Sequence, residues 1–418
     1  MNFKSPNLKA LKELNRNIIL IAIFLFISFS TTVYADEPSV SLGIDVLQSN
    51  NFKELEGKRV GLLTNHSGRN KYGKLTAKIF IDNDKVNLVS IFVPEHGFYT
   101  TIPAGEKVDD DMFEGTKVLS LYGKNRRPTQ IYLQDCDVIV IDIQDIGLRS
   151  YTFLSTVFYM LDACSEFGKE VIVLDRPNPL GGINVDGNIV KKGHENFISL
   201  LPIPYVHGLT FGELCNMMNN ENWLKNKCDL TIIKMENWKR EMQWEHTKLN
   251  WFPTSPHIPT VNAIRGAAVL GIWGELGFIS IGIGTTSPFQ YLGHTSLKTN
   301  FENIDYSGFY LEKAYYRPFY GLFKGKNVPG YLLRFKNNNK FNPYTNSIKL
   351  MFKLKKLNPE IFNQNKLKKR SKKMFKMATG TDEVFNAFFT SNNLDIILAE
   401  TQKGVQEFKE SRKNYFLY

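Results

Sequence analysis

Short apolar runs alternate with longer amphipathic stretches through the first half of the chain. Each run is rich in Val, Ile and Leu and is bounded by polar or turn residues, which is typical of strands buried on both faces of a parallel sheet. The pattern predicts an α/β domain over roughly residues 58–233. The four runs are VGLLT (60–64), NLVSIFV (87–93), DVIVIDI (137–143) and EVIVLD (170–175).

The stretch between the last two runs has apolar residues at helical spacing. It covers residues 152–168, and Gly168 is a helix stop signal. A strand, a helix and a strand at this spacing predict a βαβ unit. We therefore expect a doubly wound, mostly parallel sheet with helices on both faces.

The second half of the chain has a different pattern. Residues 238–261 carry several Trp and Pro residues and are expected to be irregular, and residues 278–283 alternate as in a strand. From Ser307 onward, aromatic strand-like runs are followed by a lysine-rich segment, 366–376, that is typical of a solvated helix face.

The 418 residues are too many for one typical domain. The change of pattern predicts a domain boundary near residue 255, with an α/β domain at 36–255 and a second domain at 256–418.

The N-terminus predicts export. A basic stretch ends at Arg16, an apolar run follows at 18–29, and the small residues Val33 and Ala35 suit a signal-peptidase site. The run is short for a membrane span, so we interpret residues 1–35 as a cleaved signal peptide, with an uncleaved anchor as the alternative. The mature chain is then expected to be periplasmic or secreted, without stable membrane insertion.

Charge and cysteine usage narrow the function classes. The formal net charge is +11; the first 35 residues hold four bases and one acid, so their removal leaves about +8. A basic surface suits a polyanion such as nucleic acid, anionic lipid or acidic glycan, or it is simply solvated. Cys136 and Cys164 lie in apolar contexts and are expected in the core, and no CxxC motif indicates a metal site.

Each predicted strand ends in polar residues. Ligands bind beyond the carboxyl ends of parallel strands, so this edge is the expected active site. Each residue also has a structural interpretation: Asn65 as a turn residue, Asp175 as a cap, and Asp142 in an ion pair with Arg149. The strand-end residues are Asn65 and His66; Glu95 and His96; Asp142, Gln144, Asp145, Arg149 and Tyr151; and Asp175, Arg176 and Asn178.

Because the motifs of several enzyme classes are missing, catalysis by carboxyl groups is the chemistry that remains. The sequence has no GxSxG, Walker A, GxGxxG or HExxH motif, so no cofactor and no metal are predicted. Glycoside hydrolysis needs one carboxylic acid and a second carboxylate. The candidates are Glu95, Asp142, Asp145 and Glu213, and Glu95 is the best-placed acid.

Four long motifs in order resemble the exo-β-N-acetylmuramidase (NamZ/YbbC-like) family. They are PEHG (94–97), IDIQDIGLRSYTF (141–153), VLDRPNPLGG (173–182) and PIPYVHGLTFGEL (202–214). The resemblance runs from about Gly43 to Gly293 and more faintly to the C-terminus. It implies a Rossmann-like larger domain, a smaller C-terminal α/β domain and an active site in the cleft between them. It also implies release of N-acetylmuramic acid from non-reducing ends of peptidoglycan-derived glycans, and so a wall polymer rather than nucleic acid as partner.

The matching motif positions imply site roles. Glu95 matches the family's catalytic glutamate, and Arg149 or Arg176 would bind the lactyl carboxylate of the sugar. The stretch 275–289 departs from the family in two places. Leu276, Gly277 and Phe278 stand at the family's GTN positions, and Ile283 stands where an arginine is expected, which predicts a lost polar contact from the second domain. The expected catalytic residues are Glu95, His96, Asp142 and Asp145, and the expected substrate-binding residues are Asn65, Gln144, Arg149, Tyr151, Asp175, Arg176, Asn178, His207 and Glu213.

Two other functions remain open from the sequence alone. A non-catalytic envelope protein would bind wall fragments in the same cleft without turnover. A hydrolase of another ester or a phosphate is a third possibility, against which the missing nucleophile and phosphate motifs count. The sequence carries no signal for an oligomeric state.

Overall fold

The protein is described from a computed structural model that covers residues 39–298, 305–336 and 341–418, with Lys9, Lys12, Glu13 and Arg16 near the N-terminus. Residues 39–418 form one compact unit. The predicted signal-peptide core and cleavage site lie outside the described residues and stay a prediction. Within the described residues, every helix is too short or too polar to span a bilayer.

The larger sheet has seven strands in the order β3-β4-β2-β1-β5-β6-β7. All neighbouring strands are parallel except β3 and β4, which are antiparallel. The four predicted strands correspond to β1, β2, β5 and β6, so the predicted sheet is confirmed. The strands are β1 Arg59–Thr64, β2 Asn87–Val93, β3 Asp111–Phe113, β4 Thr116–Ser120, β5 Val138–Asp142, β6 Glu170–Leu174 and β7 Leu230–Ile233.

Helices cover both faces of this sheet, as in a Rossmann-like fold. The longest of them lies between β5 and β6 and ends at Gly168, which adopts the left-handed conformation (φ 62°) that favours glycine. The predicted βαβ unit is therefore confirmed. The helices of this region are α1 Gly43–Ser49, α2 Thr76–Ile81, α3 Gln130–Leu133, α4 Thr152–Phe167 and α5 Phe211–Asn220.

Burial on both faces explains the continuous apolar runs. In β5, Val138 and Val140 belong to one apolar cluster, whereas Ile139 and Ile141 belong to the cluster on the opposite face. Successive side chains of a strand point to opposite faces, so both sets must be apolar. Cys136 and Cys164 are buried in the second cluster, which confirms the core prediction for them.

The chain reverses direction across the sheet between β1 and β5. From β1 it proceeds to β2 and β4 on one side, and β5, β6 and β7 extend the sheet on the other. Connections from the two strands therefore diverge, and a crevice opens at their carboxyl ends. The predicted strand-end residues surround this switch point.

The smaller sheet is antiparallel, with the strand order β8-β11-β10-β9. Helices pack beside it, which confirms a smaller C-terminal α/β region. The strands are β8 Tyr291–Gly293, β9 Asp305–Tyr306, β10 Phe309–Tyr316 and β11 Val328–Phe335; the helices are α6 Val261–Gly274, α7 Pro343–Leu357, α8 Lys369–Thr379, α9 Glu383–Thr390, α10 Leu394–Thr401 and α11 Val405–Ser411. Short 3₁₀ helices cover Lys53–Leu55, Trp244–Thr247, Gln364–Lys366 and Arg412–Tyr415.

The strand-like alternation at 278–283 does not form a strand. Ser280 makes only an isolated antiparallel bridge with Gly293. Gly282 and Gly284 have φ angles of 82° and 85°, which are incompatible with extended pairing. A side chain at Gly284 would also meet the carbonyl oxygen of Tyr320, so the backbone approaches another loop there.

The C-terminal residues return to the larger sheet. Val405 and Phe408 are buried in one of its two apolar clusters. Arg412 donates hydrogen bonds to the carbonyl oxygens of Gly182 and Gly208. Long-range contacts of this kind carry no local sequence signal, and the predicted boundary near residue 255 stays a prediction.

Candidate active site

A cavity of about 420 Å³ lies between the two sheets, and we call it the interdomain cavity. Its volume is in the range of small-molecule sites. Loops at the carboxyl ends of β2 and β5 form one wall, and helices α6 and α8 with their flanking loops form the other. The polar and aromatic lining residues are Glu95, His96, Tyr122, Ser150, Tyr151, Thr152 and Tyr205 on the first wall and Ser255, His257, Glu275, Phe289 and Arg370 on the second.

Glu95 follows β2 directly and is 6% exposed. The Gly105 amide donates to its Oε1 at 2.8 Å, and the Thr152 hydroxyl donates to its Oε2 at 2.6 Å. The Tyr122 hydroxyl is a third partner: burial, and then its hydrogen bond to Glu95, raises the pKa of Tyr122 to about 12. Three hydrogen-bond donors therefore hold the Glu95 carboxyl group in one orientation.

His96 occupies a left-handed conformation (φ 74°), which is unusual for a residue with a side chain. Its Nδ1 lies 2.7 Å from the carbonyl oxygen of Ile102, so we assign the proton to Nδ1. Burial lowers the pKa of His96. A neutral ring stacked on Tyr151, with centroids 6.5 Å apart, therefore forms part of the cavity wall.

Glu275 is the second carboxylate in the cavity. It stands at the C-terminal end of α6, and its side chain makes no hydrogen bond within the described residues. Burial raises its pKa above the usual 4.5, and the nearby Arg370 offsets only part of this effect. Sequence reasoning did not place Glu275 in the site, although it lies in the family-like stretch 275–289 where Ile283 departs from the pattern.

Arg370 of α8 brings a positive charge to the same cavity. Its side chain makes no hydrogen bond or ion pair with the described part of the chain. A guanidinium without a partner can bind a carboxylate with two parallel hydrogen bonds. Ile283, by contrast, packs against the apolar core of the smaller sheet and does not line the cavity.

Tyr151 is the third predicted residue that lines the cavity, with Glu95 and His96. Its hydroxyl donates to Thr254 Oγ1 at 2.8 Å, and burial raises its pKa well above the usual value. The structure does not bring the other predicted residues into the cavity. They are Asn65, Asp142, Gln144, Asp145, Arg149, Asp175, Arg176, Asn178, His207 and Glu213.

Asp142 and Arg176 form an ion pair at the switch point with 0% and 4% of their side chains exposed. Arg176 Nε and Nη2 donate to the carboxylate at 2.5 and 2.8 Å, and the Thr76 hydroxyl donates to it as well. The expected structural pairing of Asp142 therefore occurs with Arg176, not Arg149. Asn65 accepts from the Ser67 amide at 2.9 Å and acts as the turn residue of its structural interpretation.

Arg149 is fully buried and donates to backbone carbonyl groups. The acceptors are Asn188 (2.6 Å), Ile203 (2.8 Å), Ala378 (3.0 Å) and Thr379 (2.9 Å). Burial lowers its pKa to about 10. Its guanidinium joins the loops of the larger sheet to the end of α8 and has no donor directed at the cavity.

Asp175 is buried next to the C-terminal residue of the chain, Tyr418. It accepts hydrogen bonds from the Thr210 hydroxyl (2.7 Å), the Gly212 amide (2.8 Å) and the Tyr418 hydroxyl (2.9 Å). Burial raises its pKa to about 6. Glu213 closes the capping box of α5 with Thr210 and pairs with Arg240.

The remaining predicted residues support loops. Gln144 donates to the carbonyl oxygens of Asp145 and Pro177, and Asn178 donates to that of Leu209. Asp145 accepts from the Gly147 amide at 2.8 Å, and His207 Nε2 lies 3.6 Å from its Oδ2. These contacts favour structural roles, and the substrate-binding roles stay predictions. No group of three or more His, Cys, Asp or Glu residues within the described ranges is arranged to hold a metal ion.

Comparison with known proteins identifies the family. The family models for the N-terminal and C-terminal parts of the exo-β-N-acetylmuramidase NamZ match residues 60–262 and 268–418. The chain belongs to the NamZ exo-β-N-acetylmuramidase family. It is 34% identical to the peptidoglycan β-N-acetylmuramidase NamZ of Bacillus subtilis (strain 168) over 391 residues, which is 92% of each chain.

Two solved structures share the NamZ-family fold seen here. Both are described as DUF1343 family proteins from Bacteroides fragilis NCTC 9343. One is 37% identical with a TM-score of 0.84, and the other is 28% identical with a TM-score of 0.71. Each alignment covers 91% of this chain and 99% of the solved chain, so the similarity includes both sheets.

Proposed function

We propose that this chain is an exo-acting glycoside hydrolase that releases N-acetylmuramic acid from the non-reducing ends of peptidoglycan-derived glycans. The observation that carries the proposal is the placement of Glu95 and Glu275 in one cavity with different environments. Glycoside hydrolysis requires such a pair of carboxyl groups. The family relationship and the N-acetylmuramidase activity named for the Bacillus subtilis relative support the choice of sugar.

The environments of the two glutamates indicate their roles. Glu275 has a raised pKa and no hydrogen-bond donor, so it is suited to hold a proton and transfer it to the leaving oxygen. Glu95 has three donors and is suited to act as the carboxylate. We therefore propose Glu275 as the general acid in place of Glu95, which the sequence had favoured.

The proposed reaction cleaves the bond between the anomeric carbon and the bridging oxygen. The proton of Glu275 moves to the bridging oxygen, which leaves as the hydroxyl group of the next sugar. Glu95 acts at the anomeric carbon, either by activating water or by direct attack followed by hydrolysis. In both routes the water oxygen becomes the anomeric hydroxyl group of N-acetylmuramic acid. One water proton stays on that hydroxyl group, and the other replaces the proton that Glu275 gave to the leaving oxygen.

Arg370 supports the choice of an acidic sugar. N-acetylmuramic acid carries a lactyl carboxylate, and a guanidinium binds a carboxylate bidentately. Because the donors of Arg149 are used by backbone carbonyls and Arg176 pairs with Asp142, we assign this role to Arg370. His96 and Tyr151 then form the wall on which the sugar rests.

We further propose that the mature chain acts outside the cytoplasm. The apolar run at 18–29, the small residues before Asp36 and the basic composition support export to a compartment where the anionic wall polymer is present. N-terminal sequencing of the protein recovered from its native cell would show a start near residue 36. A start at Met1 would contradict cleavage.

The function is tested with purified protein and a muramyl-capped disaccharide. We expect N-acetylmuramic acid to appear, as measured by mass spectrometry, and we expect no release from the same disaccharide capped at its non-reducing end by N-acetylglucosamine. Tight binding of the muramyl substrate without release would instead support a non-catalytic wall-binding protein.

A further inference from the structure

A second cavity, also of about 420 Å³, lies next to the interdomain cavity, and we call it the aromatic cleft. Its walls include two aromatic rings, a histidine, an arginine and three serine or threonine residues. Among the described residues, no acidic residue lines it. The polar and aromatic side chains of the lining include His66, Arg69, Tyr99, Thr101, Phe252 and Ser255.

The loop after β2 and the segment 252–259 contribute to both cavities. The loop after β2 carries Glu95 into the interdomain cavity and Tyr99 into the aromatic cleft. The segment 252–259 contributes to both cavities, and Ser255 lines both of them. A ligand that leaves the interdomain cavity past Ser255 therefore enters the aromatic cleft.

Hydrogen bonds hold the loop after β2 and the segment 252–259 in place. Thr100, in a left-handed conformation (φ 58°), donates from its hydroxyl to the carbonyl oxygen of Tyr99 at 2.6 Å and, more weakly, to that of Pro253 at 3.2 Å. The His66 amide donates to the Phe98 carbonyl at 2.6 Å. A strained residue persists when its surroundings determine its conformation, and such residues concentrate at ligand sites. The distance between the two cavities is therefore set by the fold.

The lining suits a saccharide. Tyr99 is 48% exposed, and its ring packs edge-on against His66 and Phe98 with centroids 5.5 and 5.2 Å apart. Arg69 stacks over Phe252 at 4.7 Å and donates to the carbonyl oxygens of His66 and Gly73. Apolar faces beside hydroxyl and imidazole groups match the faces and edges of a sugar ring. The lack of acid also admits an anionic substituent.

We infer that the aromatic cleft binds the leaving part of the substrate, a β-linked chain of N-acetylated sugars whose terminal muramyl unit occupies the interdomain cavity. This inference rests on the proposed function and deepens it. It assigns a role to His66, for which the sequence predicted a place at the site edge but no chemistry. It also predicts that the enzyme discriminates by chain length.

Chain-length dependence tests this inference. The wild type and the Tyr99→Ala variant are compared on a single-sugar chromogenic muramide and on a muramyl-terminated tetrasaccharide. We expect the ratio of kcat/KM for the tetrasaccharide to kcat/KM for the muramide to fall about tenfold, the upper end for one aromatic contact. Thr101→Trp, which fills the cleft from an exposed position, should lower the same ratio.

The matched control is Tyr310→Ala. Tyr310 is 45% exposed but lies on β10, outside the lining of both cavities. It should leave the ratio unchanged. An unchanged ratio in Tyr99→Ala and Thr101→Trp would overturn the inference, because both substrates would then use the same contacts.

A binding measurement separates this inference from the proposed function. A tetrasaccharide of β-1,4-linked N-acetylglucosamine is titrated into the wild type, Tyr99→Ala and Tyr310→Ala, and the heat of binding is recorded. Weaker binding by Tyr99→Ala alone would support the aromatic cleft as the binding site. This holds even if the wild type hydrolyses neither muramyl substrate, because that failure would reject only the proposed function. Equal binding by all three proteins would reject the cleft.

Discussion

The interdomain cavity and the switch point between β1 and β5 both lie beyond the carboxyl ends of one sheet, but they use polar groups differently. At the switch point, Asp142 and Arg176 are buried and paired. In the cavity, the side chains of Glu275 and Arg370 have no hydrogen-bond partner among the described residues. Both regions therefore contain many polar side chains. Of the two, only the interdomain cavity contains side-chain donors and acceptors that have no partner in the described part of the chain and can bind a ligand.

The position of the segment 244–252 explains the difference. In a Rossmann-like sheet, the crevice at the switch point is the usual ligand site. Here Trp244, Trp251 and Phe252 cover it, and the space left beside Arg176 is about 20 Å³. That space holds about one water molecule. The ligand site is displaced toward α6 and α8, where the smaller sheet supplies the missing wall.

Breaking the buried ion pair should have the largest effect on stability. Arg176→Ala leaves the Asp142 charge buried without a partner, and we expect a loss of about 3–5 kcal/mol in the free energy of unfolding. Urea unfolding measures it. In the control Arg334→Ala, the lost pair with Glu312 is half-exposed, and the expected cost is at most about 1 kcal/mol. Equal losses would show that the switch point is not a structural element.

Replacing the proposed acid should give a loss of activity that depends on the leaving group. We expect Glu275→Gln to lower kcat on a muramyl disaccharide by about 100-fold or more. A chromogenic muramide with a phenolate leaving group needs less protonation, so the loss there should be much smaller. Equal losses on both substrates would contradict the assignment of Glu275 as acid.

The same carboxyl group predicts a pH dependence. An acid with a raised pKa is active while protonated, so the rate should fall as the pH rises through the pKa of Glu275, above 4.5. The pH profile of kcat for the disaccharide measures this. Glu275→Gln should lack this alkaline decline, and a decline that persists in the variant would assign it to another group.

Removing the cavity cation should change substrate selectivity. We expect Arg370→Ala to raise KM about tenfold for a chromogenic muramide, because a hydrogen bond to a charged group is lost. KM for the corresponding glucosaminide, which lacks the lactyl carboxylate, should not change if it is turned over. Lys373→Ala, a charge loss on the same helix outside the interdomain cavity, is the control. Equal changes in KM in both variants would indicate that positive charge on α8 attracts the anionic substrate at long range, without a direct contact from Arg370.

The smallest effect is expected at the C-terminus. Tyr418→Phe removes one of the donors to the buried Asp175 carboxylate and should cost about 1–2 kcal/mol of unfolding free energy. Tyr415→Phe loses a hydroxyl contact with Glu221 nearer the surface and should cost less. If Tyr415→Phe costs more, the contact with Asp175 does not stabilise the fold.

The larger sheet was predictable because burial on both faces imposes continuous apolar runs. Its four predicted strands appear with boundaries within one residue, and α4 ends at the predicted Gly168. The strand at 278–283 was wrong, since periodicity does not register the left-handed glycines at 282 and 284. A local sequence pattern therefore predicts only the conformation of the local backbone.

The site was only partly predictable. Glu95, His96 and Tyr151 line the cavity because they directly follow strands of the larger sheet or lie in its loops. Glu275 and Arg370 come from helices far along the chain, and only tertiary packing places them opposite Glu95. The strand-end pattern also cannot distinguish Asp142, which stabilises the sheet edge, from Glu95, which faces the cavity.

The most direct test of the account is the activity of Glu95→Gln on a muramyl-capped disaccharide, measured beside Glu106→Gln, an exposed glutamate outside the cavity lining. Circular dichroism should first show that both variants are folded. We then predict that kcat/KM falls about 1,000-fold or more in Glu95→Gln and stays at the wild-type value in Glu106→Gln. Wild-type turnover by Glu95→Gln would contradict the claim that the interdomain cavity is where the glycosidic bond is cleaved.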